Sequence, residues 1–462
     1  VDTEGDGDPN ACDNCPSHSN SNQADTDGDG IGNVCDSCNS DATNDIDGDL
    51  ICASTDNCPN LYNPAQDGGL PVTLNPVLVA GGSVSSYLVS SDSRRVVYAA
   101  IQETAGLREL YSLPIAGGPV AKLNPPLAGS SDLAAYLISP DSLRVVFSVR
   151  QGASGPHELY SVPLSGGTAL KISGALPPGA AGISATIPFA ISSDGSRVVY
   201  SADQGTAGIN ELYSVPIAGG ATLKLNGPIT SGGVLSEFTI APGGTAVVYR
   251  ASQDTSTKIE LYSVGITGGT VTKLNGTLVT GGNVSSFGIS PSGLRVVYLA
   301  DQLFNNRDEI FGVAIGGGTA VRLNGSLIAS GDVADYKINA DSSRVVYRAD
   351  QETDQVIELY SVPVAGGTFL KLNNHVGNGI LGFLISPDVA SAVYQDDEDT
   401  AGSIEIWSVP VAGGSVEKVN GNFAPSGDTF LGGYRISPDS SRVIYIADTQ
   451  GTGRQELFSA PI

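Results

Sequence analysis

Short runs rich in β-branched and aromatic residues, broken by Gly-Gly and Ser-Pro-Asp turns, recur along most of the chain, and no helical period of useful length appears anywhere. The runs repeat as phrases. Glu-Leu-Tyr-Ser-Val-Pro and its near copies begin at Glu109, Glu158, Glu211, Glu260, Glu309, Glu358, Glu405 and Glu456, about 50 residues apart, which marks one supersecondary unit per repeat. Upstream of each stands Ile-Ser-Pro-Asp-Ser-x-Arg-Val-Val-Tyr or a variant, ending at Tyr98, Phe147, Tyr200, Tyr249, Tyr298, Tyr347, Tyr394 and Tyr445. Downstream come Ala-Gly-Gly and Lys-Leu-Asn.

Each unit reads as four short strands. In the second unit they are Tyr136 to Ser139, Arg144 to Phe147, Glu158 to Leu164 and, after the Gly166-Gly167 turn, Ala169 to Ile172. Such a unit repeated eight times predicts an all-β, eight-bladed β-propeller, with a solenoid as the other architecture a repeat can build. Closure separates the two, because a propeller joins its last blade to its first. The phrase at Glu456 completes a third strand at Pro461, and Gly68-Gly69-Leu70-Pro71-Val72-Thr73-Leu74-Asn75 has the character of a fourth, like Gly117 to Asn124. Residues 68–75 are therefore expected to complete the eighth blade and tie the ring shut.

The repeats resemble the TolB-like propellers over residues 68–462. The Ser-Pro-Asp-Gly turn of that family is matched at Ser193-Asp194-Gly195 and, with Ser for Gly, at Ser139 to Ser142 and Ser437 to Ser440. The resemblance implies a fold and no particular activity. Asp141 and Arg144, Asp194 and Arg197, Asp341 and Arg344, and Asp439 and Arg442 flank this turn and are expected to pair across it. The fourth repeat, with Gly243, Gly244 and Ala246, lacks both partners together, which reads as turn structure rather than catalysis.

The first 67 residues are different material. They hold 15 Asp and Glu and all six cysteines, while the first basic residue of the chain is Arg94. So charged a segment cannot fold on hydrophobic burial alone. Its spacing names the substitute. Asp25-x-Asp27-x-Asp29-Gly30-Ile31-x-Asn33-x-x-Asp36 places oxygen side chains at positions 1, 3, 5, 9 and 12 of a loop, with Gly at 6 and the Ile31 carbonyl at 7, the arrangement that cages calcium. A second copy is Asp2, Glu4, Asp6, Asp8, Asn10 and Asp13. A third, Asp45, Asp47, Asp49 and Asp56, has Leu50 for the glycine and Ala53 at position 9, so it should be weaker or rearranged. No helices flank the loops, which disfavours paired EF-hands.

Cys15-Pro16-x-x-x-Asn20-x-x-Gln23 precedes one loop, and Cys58-Pro59-x-x-x-Asn63-x-x-Gln66 repeats the phrase. Together with the acidic loops this resembles thrombospondin type 3 repeats, over residues 1–67. The resemblance implies calcium ligation by the residues just named and a Cys15–Cys35 bridge, with Cys38 joining Cys52. A bridge closing such a loop contributes about 3 kcal/mol by constraining the unfolded chain. Cys12 and Cys58 are left as complementary halves of one missing bridge. They join within one chain or between successive chains, and the second alternative propagates head to tail into a filament.

Disulfides and calcium loops place the protein outside the cytosol, secreted or at the cell surface. No initiator Met and no signal peptide are present, so the chain reads as mature or trimmed. Nothing approaches the length of a membrane span, and a net charge of −25 repels nucleic acid. Only His18, His157 and His375 occur, in unrelated surroundings, and neither a nucleophile elbow nor a phosphate loop is present. The chain is thus expected to be a non-enzymatic structural or adhesive protein, with calcium as cofactor, its propeller a platform for protein partners or self-association, and glycan a further candidate ligand. The alternative is an extracellular enzyme or binding protein acting on glycan or peptide through a central channel. Acidic loops at Asp350-Gln351-Glu352-x-Asp354 and Asp396 to Asp399 would emerge on one face.

Overall fold

A computed structural model describes residues 2–46, 51–56, 73–185, 189–229, 232–373, 379–397, 403–424 and 427–462. The chain divides into two compact units, Val1–Leu74 and Asn75–Ile462.

The larger unit is all-β, with no helix among the described residues. Its strands form eight separate antiparallel sheets, seven four-stranded and the last three-stranded. The second sheet is typical, with Asp132–Ile138, Arg144–Arg150, His157–Pro163 and Leu170–Lys171 in sequential order. Meander order follows from the short turns, since antiparallel neighbours need only a few connecting residues. Register places the repeat aromatics opposite one another, Phe147 against Tyr160 and Tyr98 against Tyr111. Their rings stack with centroids 5.6 and 5.3 Å apart, an arrangement worth about 0.5–1.5 kcal/mol beyond the area buried.

The core lies between successive sheets. Val146, Leu159 and Ile172 of the second sheet meet Val198, Tyr200, Tyr213 and Val215 of the third. The same contact recurs from the first sheet onto the second through to the seventh onto the eighth. Alternation along each central strand supplies it, odd residues facing one neighbour and even residues the other.

The closing strand is not found. The eighth sheet has three strands, Asp428–Ile436, Arg442–Asp448 and Glu456–Pro461. Thr73 and Leu74 are not in a strand, and residues 68–72 lie outside the described residues. Asn75 keeps the local half of the motif its counterparts use, donating Nδ2 to Pro76 O at 2.9 Å as Asn124 does to Pro125 O. In the other half, Asn124 Oδ1 accepts from Leu110 N of the third strand; no bond of that kind joins Asn75 to Leu457.

The Ser-Pro-Asp turns also differ from expectation. Asp141 accepts from Leu143 N at 3.0 Å, while Arg144 Nε donates to Ser161 Oγ at 2.7 Å on the third strand. Arg197, Arg344 and Arg442 reach Ser214, Ser361 and Ser459 in the same way, and no ion pair crosses these turns. The aspartates hold the turn, and the arginines tie strands two and three. The residue two before each of these arginines adopts a left-handed conformation, at φ 58° for Ser142 and 61° for Ser440. There the serine hydroxyl does what glycine cannot. Ser142, Ser342 and Ser440 Oγ each accept the N–H of the preceding sheet's turn, from Asp92, Ser292 and Asp388 at 3.2, 2.8 and 2.9 Å.

Candidate metal centre

In the smaller unit, backbone turns build two loops with the same internal bonds. Asp25 accepts from Gly28 N at 2.7 Å with one oxygen and from Gly30 N at 3.0 Å with the other. Asp2 does the same with Gly5 and Gly7, at the same two distances. All four glycines have positive φ, between 77° and 104°, which a side chain adopts only under strain. The glycines at loop position 4, Gly5 and Gly28, lie outside the calcium-loop pattern, which asks for glycine only at position 6. Their signal was present, since both loops carry one there.

Curling the loop around its first aspartate gathers the alternate carboxylates. Asp25, Asp27 and Asp29 each bring a carboxylate oxygen within 4.8 Å of the others, and Asp2, Glu4 and Asp6 form the equivalent trio. Both oxygens of Glu4 and both of Asp27, position 3 of the two loops, are shielded from solvent and accept no hydrogen bond. At position 12, Asp13 and Asp36 accept from Cys15 N and Cys38 N with one oxygen, at 2.8 and 2.7 Å, and leave Oδ2 buried and unpartnered. Contact with Asp13 pushes the Glu4 carboxyl above its ordinary value. The Gly28 and Gly30 N–H groups hold Asp25 below its own. Shielded carboxylates with no cation side chain beside them fit a hard divalent ion, which would replace the missing donors with its own charge.

Asn10 and Asn33 occupy position 9 of the two loops. Their Oδ1 atoms accept from Thr3 N and Thr26 N at 3.0 and 2.9 Å, closing the loops. Asp8 and Ile31 follow the position-6 glycines, and their N–H groups bond Asp6 and Asp29 at 3.0 and 2.7 Å. In the third loop Asp47 and Asp49 lie outside the described residues, while Asp45 and Asp56 lie within them. Asp41 organises the described part. It accepts from Thr43 Oγ1 and Ser54 N, bonds that hold its carboxyl down at about 2.

The two bridges form as the repeat resemblance implies, Cys15 to Cys35 and Cys38 to Cys52. Cys12 is exposed and unbridged, and Cys58 lies outside the described residues. The Asn and Gln of the Cys-Pro phrase acquire a role here. Asn20 N donates to Asp6 Oδ2 at 2.7 Å, and Gln23 Nε2 to Asp13 Oδ1 at 2.9 Å, so the phrase ties down carboxylates of the preceding loop.

The larger unit has its own acidic cluster, where Asp301, Asp308 and Asp332 line one open cleft with Asn306 and Arg307. Burial pushes Asp308 and Asp332 upward. Asp301 accepts from Asn306 N at 3.1 Å, and Asp332 from Asp308 N at 2.8 Å, so these carboxylates serve the loops they sit in. Asp350 and Asp354 do likewise with Asp332 N and Ser330. Asn275 and Asn324, in the recurring Lys/Arg-Leu-Asn phrase, are buried, each accepting a third-strand N–H with Oδ1 and donating Nδ2 to the carbonyl of the following glycine.

No curated protein matches the chain. Among solved structures it is similar to a putative TolB from Agrobacterium tumefaciens, at 18% identity and TM-score 0.30, over 52% of this chain and 80% of that one. It is also similar to a structure described in a study of two prolyl endopeptidases and their inter-domain dynamics, at 14% identity and TM-score 0.39. That likeness covers 80% of this chain and 55% of the other. That likeness stands against the expectation of no enzymatic activity, which is not carried further. At these TM-scores neither likeness assigns an activity. No helix among the described residues is long and apolar enough to cross a membrane. Residues 24–66 match the thrombospondin type 3 repeat family.

Proposed function

We propose that this is an extracellular, calcium-stabilised structural or adhesive protein, in which the smaller unit is ordered by calcium and the eight-sheet unit is a platform for protein contacts. The observation that carries the reading is the pair of carboxylate trios whose position-3 residues, Glu4 and Asp27, keep both oxygens shielded and unpartnered. Asp2, Glu4, Asp6 and Asp13 would hold one ion and Asp25, Asp27, Asp29 and Asp36 another, with backbone carbonyls of Asp8 and Ile31 and the Asn10 and Asn33 amides completing the shells. Calcium supplies no chemistry here beyond charge and geometry. It replaces the hydrophobic burial that residues 1–67 lack. Two disulfides and the repeat family support an extracellular setting, where calcium is abundant and thiols oxidise.

Limited proteolysis with and without a calcium chelator tests the reading. Cleavage within residues 2–56 should be slow in calcium and fast in chelator, while the eight-sheet unit resists in both. Equal cleavage rates in the two conditions would overturn it.

A further inference from the structure

We infer that the chain assembles head to tail, the eighth sheet of one copy packing onto the first sheet of a second copy and so continuing the contact that already joins its own sheets. The inference deepens the platform reading and rests on it.

The seven internal junctions share one apolar component, and three of them, into the second, sixth and eighth sheets, add two polar ones. One component is the latch between turns, in which the left-handed serine of one sheet accepts the turn N–H of the sheet before it, as Ser440 accepts from Asp388 N. A second is a first-strand tyrosine whose hydroxyl reaches back. Tyr336 Oη donates to Val297 O at 2.9 Å, Tyr136 Oη to Ser86 Oγ at 2.9 Å, and Tyr434 Oη to Gly382 O at 3.2 Å. The third is apolar. Leu110, Leu159, Ile310 and Ile406 on the third strands are fully buried beneath the following sheet.

The two end sheets hold all three components and satisfy none of them. On the first sheet, Ser93 takes the same left-handed conformation, φ 58°, and Tyr87 is 69% exposed. On the eighth, Leu457 is 73% exposed where its counterparts are at 0%, and Ile444, the counterpart of Val297, is half-buried. No hydrogen bond joins the first and eighth sheets among the described residues. Each end therefore offers what the other lacks, Ser93 an acceptor for the Asp439 N–H, Tyr87 a donor for the Ile444 carbonyl. Like ends do not complement each other, because two first sheets present two acceptors and no turn N–H. A contact between unlike surfaces propagates, into a ring of copies where the rotation closes and a filament where it does not, rather than ending in a two-fold dimer. A second copy is the occupant on two grounds: the junction is continuous with seven already built into the chain, and the single chain leaves both end faces open at once.

Cysteines placed at the missing latch test this. Ser93→Cys and Asp439→Cys are made in separate proteins, in a background with Cys12 and Cys58 replaced by serine. The two are mixed in calcium and oxidised mildly. A covalent heterodimer should form in the mixture and in neither protein alone, and the double variant should give a ladder on a non-reducing gel. A double variant that becomes a bridged monomer would show the ring closing on itself, and no cross-link in the mixture would show no junction; either result overturns the inference. Leu457→Glu, a change at an exposed position, guards against a cysteine variant that misfolds. It should abolish the fast-sedimenting species expected of the unmodified chain in calcium, and a sedimentation profile unchanged from that of the unmodified chain would also overturn the inference. Failure of the calcium reading appears separately, as unprotected proteolysis of residues 2–56, whatever the cross-linking result.

Discussion

Tyr360 donates its hydroxyl to Glu358 Oε2 at 2.6 Å, and where the fifth sheet has Phe311 in place of that tyrosine, Glu309 Oε2 is a buried atom without a partner. The same trio of glutamate, tyrosine and an outer-strand lysine recurs at Glu109, Tyr111 and Lys122 and at Glu211, Tyr213 and Lys224. Trp407 breaks it in the seventh sheet, and Glu405 Oε2 is orphaned there as well. Burial and the adjacent glutamate push these hydroxyls up, to about 12 in Tyr160, so they remain donors at any physiological pH. Phe311→Tyr should return the missing donor and stabilise the protein by about 1 kcal/mol, and Tyr360→Phe should cost about 1–2 kcal/mol. Urea midpoints of the two variants check both signs.

Val389 occupies the left-handed turn position of the seventh sheet, at φ 58°. A β-branched residue there costs about 1–2 kcal/mol, of which glycine's extra freedom in the unfolded chain gives part back. Val389→Gly should therefore raise stability by about 0.5–1 kcal/mol. A lower melting temperature in that variant would show that the Val389 side chain contributes more by packing than it loses by conformation.

Asp27 contributes two shielded oxygens to its loop. Asp27→Asn removes one charge without changing size and should weaken calcium binding about tenfold or more. Calorimetric titration reads the change directly. An unaltered affinity would place the ion elsewhere.

The Cys38–Cys52 bridge closes a short loop in a segment almost without apolar core. Replacing both cysteines with serine should cost that segment about 3 kcal/mol. The expected readout is faster cleavage between residues 38 and 56, even in calcium, with the eight-sheet unit unaffected.

Asp194 accepts from Ser192 Oγ, Ser196 N and Ser196 Oγ, which hold its carboxyl down at about 2. A depressed carboxyl stabilises the fold above its unfolded value, near 4, and that contribution fades as pH falls toward 2. Wild type should thus lose its advantage over Asp194→Asn between about pH 4 and 2. Parallel melting curves for the two across that range would show that the turn does not depend on the charge.

The strands were legible because each repeat carries its own turn signals and alternation, so Arg144 to Phe147 reads as a strand without knowledge of its neighbours. The acidic loops were legible for the same local reason. What a local reading misses is the partner across a sheet. Arg144 stands three residues from Asp141 in sequence, yet register sets it opposite Pro163 and within reach of Ser161. Likewise residues 68–75 look like a fourth strand, but likeness fixes the kind of element and leaves its partner open. Gln23 was visible as part of a repeated phrase, while its hold on Asp13 depends on how the loop folds back.

The outermost strands are two residues long, and each ends on a lysine or arginine, as at Lys122, Lys224 and Arg322. Beyond that point an asparagine takes over, Asn226 Oδ1 receiving Leu212 N where another backbone carbonyl would continue the ladder. The edge is therefore finished by a side chain, and a foreign strand arriving there finds a charge and few open backbone groups. For a chain that writes nearly the same strands eight times, this matters during folding and at high concentration. Every copy is a ready template for every other, and blunt edges are what keep one repeat from being stitched into its twin.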